Sequence, residues 1–190
     1  MSSTNIKIEQ RQWLVKKFAK PPCILDCFCG PGEMWQKGYG SPGNDRYLGL
    51  DREVHEDSRL TIRCENRRYL RHVQVDLNKW DIFDLDAYGH PGEQLAIICS
   101  RLANNPIHKP LGFAITISKI IPNLNRTPKP VLERAGFAHH WGTNIQAENA
   151  DIIWDQFFEY CFNQAGLVEV ERLQHTESQI SYYAIYIAPV

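Results

Sequence analysis

Short apolar runs alternate along the chain with polar stretches that contain glycine and proline, and this pattern predicts the secondary structure. Apolar runs of about four to eight residues bounded by turn residues are typical of buried strands. Such runs occur at residues 23–28, 47–50, 60–64, 80–86, 111–118, 167–173 and 180–188. Longer segments with apolar residues on one face predict helices at residues 5–19, 93–104 and 151–165.

The connections between these segments indicate how the strands pair. Early strands separated by turns and helices favour a parallel α/β sheet. Only residues 175–179 separate the last two strands, whereas a crossover to a parallel strand needs about a dozen residues. We therefore expect a seven-stranded sheet, mostly parallel with a C-terminal antiparallel strand and with helices on both faces. Residues 52–58 are too few for a helix, so that connection should be irregular.

Length and charge narrow this picture. The 190 residues fit one domain, with a helix in residues 1–20 and the sheet core in residues 21–190. The formal net charge of -1 gives no overall attraction to nucleic acid or acidic membranes, although a local basic patch remains open. No apolar run reaches the roughly 18 residues that span a bilayer. The polar N-terminus lacks the features of a secretory signal, so we expect a cytoplasmic location.

The six cysteines are predicted to be structural. Cys23, Cys27, Cys99 and Cys161 lie inside apolar runs, where cysteine behaves as a small buried hydrophobic residue. The nearest pair, Cys27 and Cys29, lacks the spacing typical of zinc sites. We therefore expect no metal site.

Polar residues follow the first two predicted strands, and ligands of open α/β sheets bind beyond the carboxyl ends of strands. The turn Gly30-Pro31-Gly32 lets the backbone approach a ligand closely. The nicotinamide fingerprint needs a third glycine where this chain has Trp35, which disfavours a nicotinamide-dependent oxidoreductase. Asp51 ends the second strand 19 residues after Gly32, close to the spacing of about 20 expected for a ribose-binding acid.

The fourth predicted strand carries two carboxylates. Alternation places Asp84 and Asp86 on one face of this strand. Carboxylates in an apolar strand are costly to bury unless they have partners, which indicates a function. The alternative is that one residue contacts a cofactor and the other caps a turn.

The segment D-x-F-x-G-x-G at residues 26–32 resembles the first motif of the class I S-adenosylmethionine-dependent methyltransferases. The resemblance implies a Rossmann-like fold, S-adenosyl-L-methionine as cofactor and methyl transfer as activity. Residues after the third strand usually contact the adenine edge in these enzymes. The cofactor-binding residues implied or predicted in this way are Asp26, Phe28, Gly30, Pro31, Gly32, Asp51, Arg52, Glu65, Asn66 and Asp84.

The end of the fourth strand resembles the D-P-[FY]-G-S-P motif of the tRNA N2-guanosine dimethyltransferases. Four positions match, namely Asp86, Tyr88, Gly89 and Pro91, while Ala87 and His90 depart from the motif. The resemblance implies that Asp86 orients or deprotonates an acceptor nitrogen and that Tyr88 stacks on a planar acceptor. These two residues are the predicted catalytic residues.

Four arginines near the third strand, Arg63, Arg67, Arg68 and Arg71, could contact the phosphates of RNA or DNA. The alternative is a solvated helix face whose charges are balanced by nearby acids. Two further functions stay open at this stage. The chain could be a methyltransferase of small molecules, or a non-catalytic cofactor-binding or scaffold subunit with the same fold.

Overall fold

One sheet and its flanking helices make up most of the residues that the computed structural model describes, which are residues 2–53, 55–72, 74–87, 90–118 and 150–190. The strands are β1 Ile24–Asp26, β2 Tyr47–Asp51, β3 Thr61–Arg63, β4 Ile82–Leu85, β5 Leu111–Ser118, β6 Leu167–Glu177 and β7 Ile180–Pro189. The helices are α1 Ser3–Val15, α2 Asn66–Arg71, α3 Gly92–Asn104 and α4 Ala150–Gln164. Single helical turns are formed by Met34–Gly38 and Leu77–Lys79.

The strands form one sheet in the order β3-β2-β1-β4-β5-β7-β6. Strands β1 to β5 run parallel, while β7 runs antiparallel to both of its neighbours, β5 and β6. This arrangement confirms the predicted mostly parallel sheet with a C-terminal antiparallel strand. The strand order reverses between β1 and β4, and ligands of open α/β sheets bind at such a reversal.

Helices cover both faces of the sheet. Neighbouring residues of a strand point to opposite faces, so their partners show which helices lie on each face. Ile24 belongs to a buried cluster with Leu14 of α1, whereas Leu25 belongs to the larger cluster that includes residues of α2, α3 and α4. Leu95 of α3 and Phe157 of α4 are both buried in that larger cluster. The placement of helices on both faces is therefore confirmed.

The observed elements differ from the predictions at their ends and in α2, a helix that was not predicted. Helix α1 ends at Val15 rather than at residue 19, and Phe18 beyond it packs edge-on against Tyr186 at 5.7 Å between ring centroids. Strand β4 ends at Leu85, so Asp86 lies just beyond the strand and not within it. The pairing of β4 with β5 also ends at Leu85, which explains why the strand ends one residue before the predicted Asp86. The described residues of the 52–58 segment form no helix, as predicted.

Among the described residues, no helix has both the length and the apolar character needed to cross a bilayer.

Candidate functional site

A cavity of about 530 Å³ lies beyond the carboxyl ends of β1, β2 and β3. Its walls come from the glycine turn after β1, the end of β2, the start of α2 and the first turn of α3. The sequence-predicted residues that line it are Phe28, Gly30, Pro31, Asp51, Arg52, Glu65 and Asn66. Folding thus brings together residues from three separate stretches of the chain in one cavity.

The glycine turn is tied directly to the acid at the end of β2. The backbone N–H of Gly30 donates a hydrogen bond of 2.9 Å to Oδ2 of Asp51. Gly30 and Gly32 have φ angles of 45° and 89°, in the left-handed region that favours glycine. These glycines therefore form a turn whose backbone positions the Asp51 carboxylate.

The side chain of Arg59 is fully buried and contacts the backbone of the glycine turn. Its guanidinium donates to the carbonyl oxygens of Cys29 at 3.2 Å and Gly30 at 3.0 Å, and it also pairs with Asp57. A Cβ atom on Gly32 would lie 2.7 Å from Cζ of Arg59. Gly32 is therefore required for packing against Arg59, and it does not line the cavity.

Asp51 is fixed in its ionised form. Burial acts to raise the pKa of Asp51, but hydrogen bonds from the backbone N–H groups of Glu53 and Gly30 and from His55 outweigh it and lower the pKa. The Glu53 N–H lies 3.0 Å from Oδ1, and Nε2 of His55 lies 3.3 Å from Oδ2. The carboxylate therefore carries its charge at neutral pH and has a defined orientation.

The Asp51 carboxylate and two neighbouring side chains form a group of three possible metal ligands. Donor atoms of Cys29, Asp51 and His55 lie within 4.8 Å of one another. Burial raises the pKa of the Cys29 thiol to about 12, so the thiolate that binds metal is disfavoured at neutral pH. Among the residues described, this group has the geometry that could hold a metal ion, but its cysteine is protonated at neutral pH.

At the other end of the cavity the predicted adenine contacts are engaged within the protein. Glu65 caps α2 by accepting from the N–H of Arg68 at 3.1 Å, and it also accepts from the Arg67 guanidinium at 2.6 Å. Asn66 donates from Nδ2 to the carbonyl oxygen of Cys27 at 2.7 Å. Gln94 of α3 donates to Oδ1 of Asn66 at 3.0 Å. Sequence reasoning missed Gln94, because its position was assigned only to a helix.

Asp26 and Asp84 are register partners on β1 and β4, and both are buried. Asp26 accepts hydrogen bonds from the Tyr47 hydroxyl at 2.8 Å and from the Phe28 N–H at 3.1 Å. Burial and the neighbouring Asp84 raise the pKa of Asp26 to about 8. Neither carboxylate lines the cavity, so their predicted contact with a cofactor stays a prediction.

A buried arginine from the N-terminal helix occupies the space beside Asp84. Arg11 is fully buried and contacts both oxygens of Asp84, with Nε at 2.8 Å and Nη2 at 2.7 Å. The Tyr39 hydroxyl donates a further hydrogen bond of 2.7 Å to Asp84. This network accounts for the burial of Asp84 and gives its carboxylate a structural role.

Asp86 lies one residue past β4 and contacts two cations of α1. Nζ of Lys7 is 2.7 Å from Oδ1, and Nη2 of Arg11 is 3.4 Å from Oδ2. Burial acts to raise the pKa of Asp86, but the charges of Arg11 and Lys7 outweigh it and lower the pKa. The predicted catalytic carboxylate is therefore ionised, and its side chain is 14% exposed.

The remaining residues of the fourth-strand motif are only partly described. Tyr88 and Gly89 lie outside the described residues, so the predicted stacking role of Tyr88 stays a prediction. His90 stacks on Trp154 of α4, with 5.7 Å between the ring centroids. At this departure from the motif, His90 thus packs against α4 from a position just before α3.

The predicted basic cluster divides into two parts. Arg67 and Arg71 both form ion pairs with Glu93 of α3. Arg63 and Arg68 are exposed, and Arg63 donates to the carbonyl oxygen of Arg52, whose side chain is 74% exposed. Arg71 is exposed as well, and Arg52 and Arg67 line the cavity, so contact of the four predicted arginines with nucleic acid stays a prediction.

Sequence reasoning did not identify Lys7, Arg11 or Arg59. The signal for a partner was present, since carboxylates in an apolar strand need a cation. Nothing in the local sequence indicated which cation would supply it, because Arg11 is separated from Asp84 by 73 positions.

Comparison with solved structures places the fold among known methyltransferase structures. Trm1 from Pyrococcus horikoshii, in complex with S-adenosyl-L-methionine, has a TM-score of 0.59 at 12% identity. The match covers 100% of this chain and 56% of that chain, so this chain spans little more than half the length of that protein. TYW2 from M. jannaschii, in complex with AdoMet, has a TM-score of 0.53 at 12% identity, covering 100% of this chain and 78% of that one. Magnesium protoporphyrin IX methyltransferase (ChlM) from Synechocystis PCC 6803, with bound SAM, has a TM-score of 0.53 at 14% identity, covering 98% and 79%.

No protein-family model and no curated protein sequence matches the chain. The similarity is therefore one of fold, and it confirms the predicted Rossmann-like architecture of class I methyltransferases.

Proposed function

We propose that this protein is an S-adenosyl-L-methionine-dependent methyltransferase. The observation that carries the proposal is the hydrogen bond between Gly30 and Asp51 in the wall of the cavity. It joins a glycine turn and an acid at the point where the fold binds ligands, and three structures of the same fold hold this cofactor. When bound, the cofactor supplies a methyl group already activated on a sulfonium centre.

The residues of the cavity fit an adenosyl group. An ionised carboxylate offers about four lone-pair sites, and the N–H groups of Gly30 and Glu53 use one site on each oxygen of Asp51. His55 Nε2, 3.3 Å from Oδ2, faces a third site, so the open site of Asp51 is on Oδ1 and can accept a hydrogen bond from one ribose hydroxyl. Phe28 and Pro31 supply apolar wall on the same turn. Because the carboxylate is held by backbone groups, it needs little reorganisation on binding.

Asp86 is the residue that we propose to orient the acceptor. Its lowered pKa makes it a weak base, so its role is to accept a hydrogen bond from the acceptor N–H rather than to remove a proton beforehand. The acceptor nitrogen would use its lone pair to gain the methyl group, and the cationic nitrogen, now a strong acid, would then pass its proton to the Asp86 carboxylate or to solvent. Holding the reactants in line can contribute about 7–11 kcal/mol of barrier lowering.

A nucleic-acid base is the acceptor class that we favour. The exposed Arg52 lines the cavity and lies 4.0 Å from Glu65, the exposed Arg63 donates to the backbone carbonyl of Arg52, and the exposed Arg68 lies on α2 after Glu65. Exposed arginines beside a cavity can bind phosphates while a base is held nearby. Arg67 and Arg71, which pair with Glu93, contribute less to such a surface.

A non-catalytic cofactor-binding subunit is the second candidate. The observation in its favour is that Lys7 and Arg11 contact both oxygens of Asp86, so that the carboxylate already has partners within the chain. Methyl transfer by the purified protein would exclude this candidate.

Calorimetric titration of the purified protein with S-adenosylmethionine and S-adenosylhomocysteine tests the cofactor. We expect one site per chain and at least about tenfold weaker binding by Asp51→Ala, because hydrogen bonds to a charged group contribute about 1.5–3 kcal/mol. Asp45→Ala is the matched control, since the Asp45 side chain is 78% exposed. No binding by the wild type, or equal affinity of Asp51→Ala, would contradict the assignment.

Transfer of a radiolabelled methyl group onto tRNA, rRNA, DNA and small-molecule extract tests the acceptor. We expect incorporation into nucleic acid that decreases with added salt, because phosphate contacts release counterions. Asp86→Ala should bind the cofactor normally and transfer no methyl group. Incorporation only into small molecules would overturn the acceptor class and leave the cofactor assignment intact.

A further inference from the structure

The thiol of Cys29, the carboxylate of Asp51 and the imidazole of His55 meet beside the cavity at distances that suit one metal ion. Their donor atoms all lie within 4.8 Å of one another, and Nε2 of His55 is 3.3 Å from Oδ2 of Asp51. Nitrogen and oxygen ligands about 2.0–2.1 Å from a tetrahedral zinc ion lie about 3.3–3.4 Å apart, and a sulfur ligand lies about 3.5–3.6 Å from either. The three side chains therefore need little movement to share an ion.

The position of the Cys29 sulfur is built into the sheet. The backbone N–H of Cys29 donates to the carbonyl oxygen of Leu50 at 3.3 Å, and a Cβ atom on Gly49 would lie 2.7 Å from Sγ of Cys29. The glycine thus leaves the space that the sulfur occupies against β2. Residues two apart in a strand share a face, so the sulfur lies on the face of β2 that carries Asp51.

The other two ligands are held by the turn that follows β2. The N–H groups of Gly30 and Glu53 donate to the two oxygens of Asp51 at 2.9 and 3.0 Å. Hydrogen bonds of this kind orient the carboxylate ligands of metal sites. His55 follows four positions after Asp51, and its side chain is 16% exposed. The imidazole is thereby largely enclosed and faces the carboxylate.

The charges and ligand types suit zinc. A thiolate and a carboxylate balance the two charges of Zn²⁺, and the nearby Arg59 is neutralised by its own pair with Asp57. Calcium and magnesium prefer oxygen ligands alone, whereas zinc takes sulfur, nitrogen and oxygen. A bound cation deprotonates a coordinating thiol, so the zinc–sulfur bond replaces the S–H bond of Cys29 and the proton passes to solvent. Protonation of the free thiol lowers the affinity without preventing binding.

We propose that Cys29, Asp51 and His55 bind one Zn²⁺ ion, which ties the glycine turn after β1 to the connection between β2 and β3. Three protein ligands leave the fourth tetrahedral position to water. The expectation of no metal site came from the spacing of the cysteines, whereas these ligands come from two separate stretches of the chain. The proposal does not rest on the proposed function.

Titration of the metal-free protein with Co²⁺ tests the site, because cobalt replaces zinc and reports its ligands by absorption. We expect wild type to bind one ion per chain with a sulfur-to-cobalt charge-transfer band, and Zn²⁺ to displace the cobalt. Cys29→Ala and His55→Gln should each weaken zinc binding at least about tenfold, since loss of even an outer hydrogen-bond partner costs about 10–100-fold. Cys64→Ala is the matched control, because Cys64 lines the same cavity outside the group of three ligands.

No binding by the wild type would overturn the proposal, as would loss of the charge-transfer band in Cys64→Ala. Cobalt bound without that band, or equal zinc affinity of wild type and Cys29→Ala, would mean an adventitious ion only. The wild-type spectrum needs no variant, so the test holds even if Cys29→Ala does not fold. The metal is titrated in the absence of cofactor, so failure of this proposal and failure of the proposed function are separate results.

Discussion

Arg11 and Asp84 form a bidentate ion pair inside the protein, with Nε and Nη2 at 2.8 and 2.7 Å from the two carboxylate oxygens. The pair joins α1 to the carboxyl end of β4, which lies beside β1 at the strand reversal. The N-terminal helix is therefore part of the structure that supports the candidate site.

Breaking this pair should destabilise the fold strongly. Arg11→Met leaves the Asp84 carboxylate buried without its cation, which we expect to lower the free energy of unfolding by about 3–5 kcal/mol. Urea denaturation of the wild type and the variant measures the change. The double variant Arg11→Met with Asp84→Asn should recover part of the loss, since no uncompensated charge remains. A loss below about 1 kcal/mol in Arg11→Met would show that the pair is not needed.

Asp26 should make stability depend on pH. Its pKa rises from 3.8 to about 8 on folding, so its protonated form favours the folded state. This contribution is complete below pH 3.8 and is lost as the pH rises towards 8. We expect Asp26→Asn to gain stability relative to wild type across that range and to level off above it. Urea denaturation between pH 4 and 9 measures the difference, and Asp45→Asn should show no such trend. A flat difference for Asp26→Asn would mean that Asp26 is ionised throughout.

The two glycines Gly32 and Gly40 provide a matched test of the turn. Both have positive φ, 89° and 73°, so alanine at either position costs about 1–2 kcal/mol of backbone strain. A Cβ atom at Gly40 meets nothing within 4 Å, whereas one at Gly32 would displace the buried Arg59 guanidinium. We therefore expect Gly32→Ala to destabilise the protein more than Gly40→Ala by at least about 1 kcal/mol. Thermal and urea unfolding give the comparison, and equal losses would contradict the packing argument.

Lys7 should control the ionisation of Asp86. The Lys7 ammonium helps to lower the pKa of Asp86, so Lys7→Met should raise this pKa. Because the role proposed for Asp86 needs its ionised form, the acid limb of the methyl-transfer rate should move to higher pH. A ¹³C NMR titration of the Asp86 carboxyl checks the shift without any acceptor. Lys16→Met, at an exposed position of the chain, is the control. An unchanged titration in Lys7→Met would remove the electrostatic role of Lys7.

The pattern of apolar runs was sufficient to predict the sheet and most of the candidate cavity. A parallel strand buried on both faces requires a continuous apolar run, so β1, β2, β4 and β5 were visible in the sequence. The short link before β7 required an antiparallel neighbour. Gly30 and Asp51 followed from their positions after β1 and at the end of β2, because the carboxyl ends of parallel strands meet at one edge.

The partners of the buried polar groups were decided only by the tertiary structure. The buried face of α1 includes Gln10 and Arg11, which an apolar stripe alone would have assigned to solvent. Arg11 and Asp84 are 73 positions apart, and Asn66 and Gln94 are 28 apart. The sequence therefore determined which segments form strands and where a ligand is expected, because these depend on local apolar periodicity. Which cation neutralises a carboxylate, and which amides bond to one another, depend on packing between distant segments.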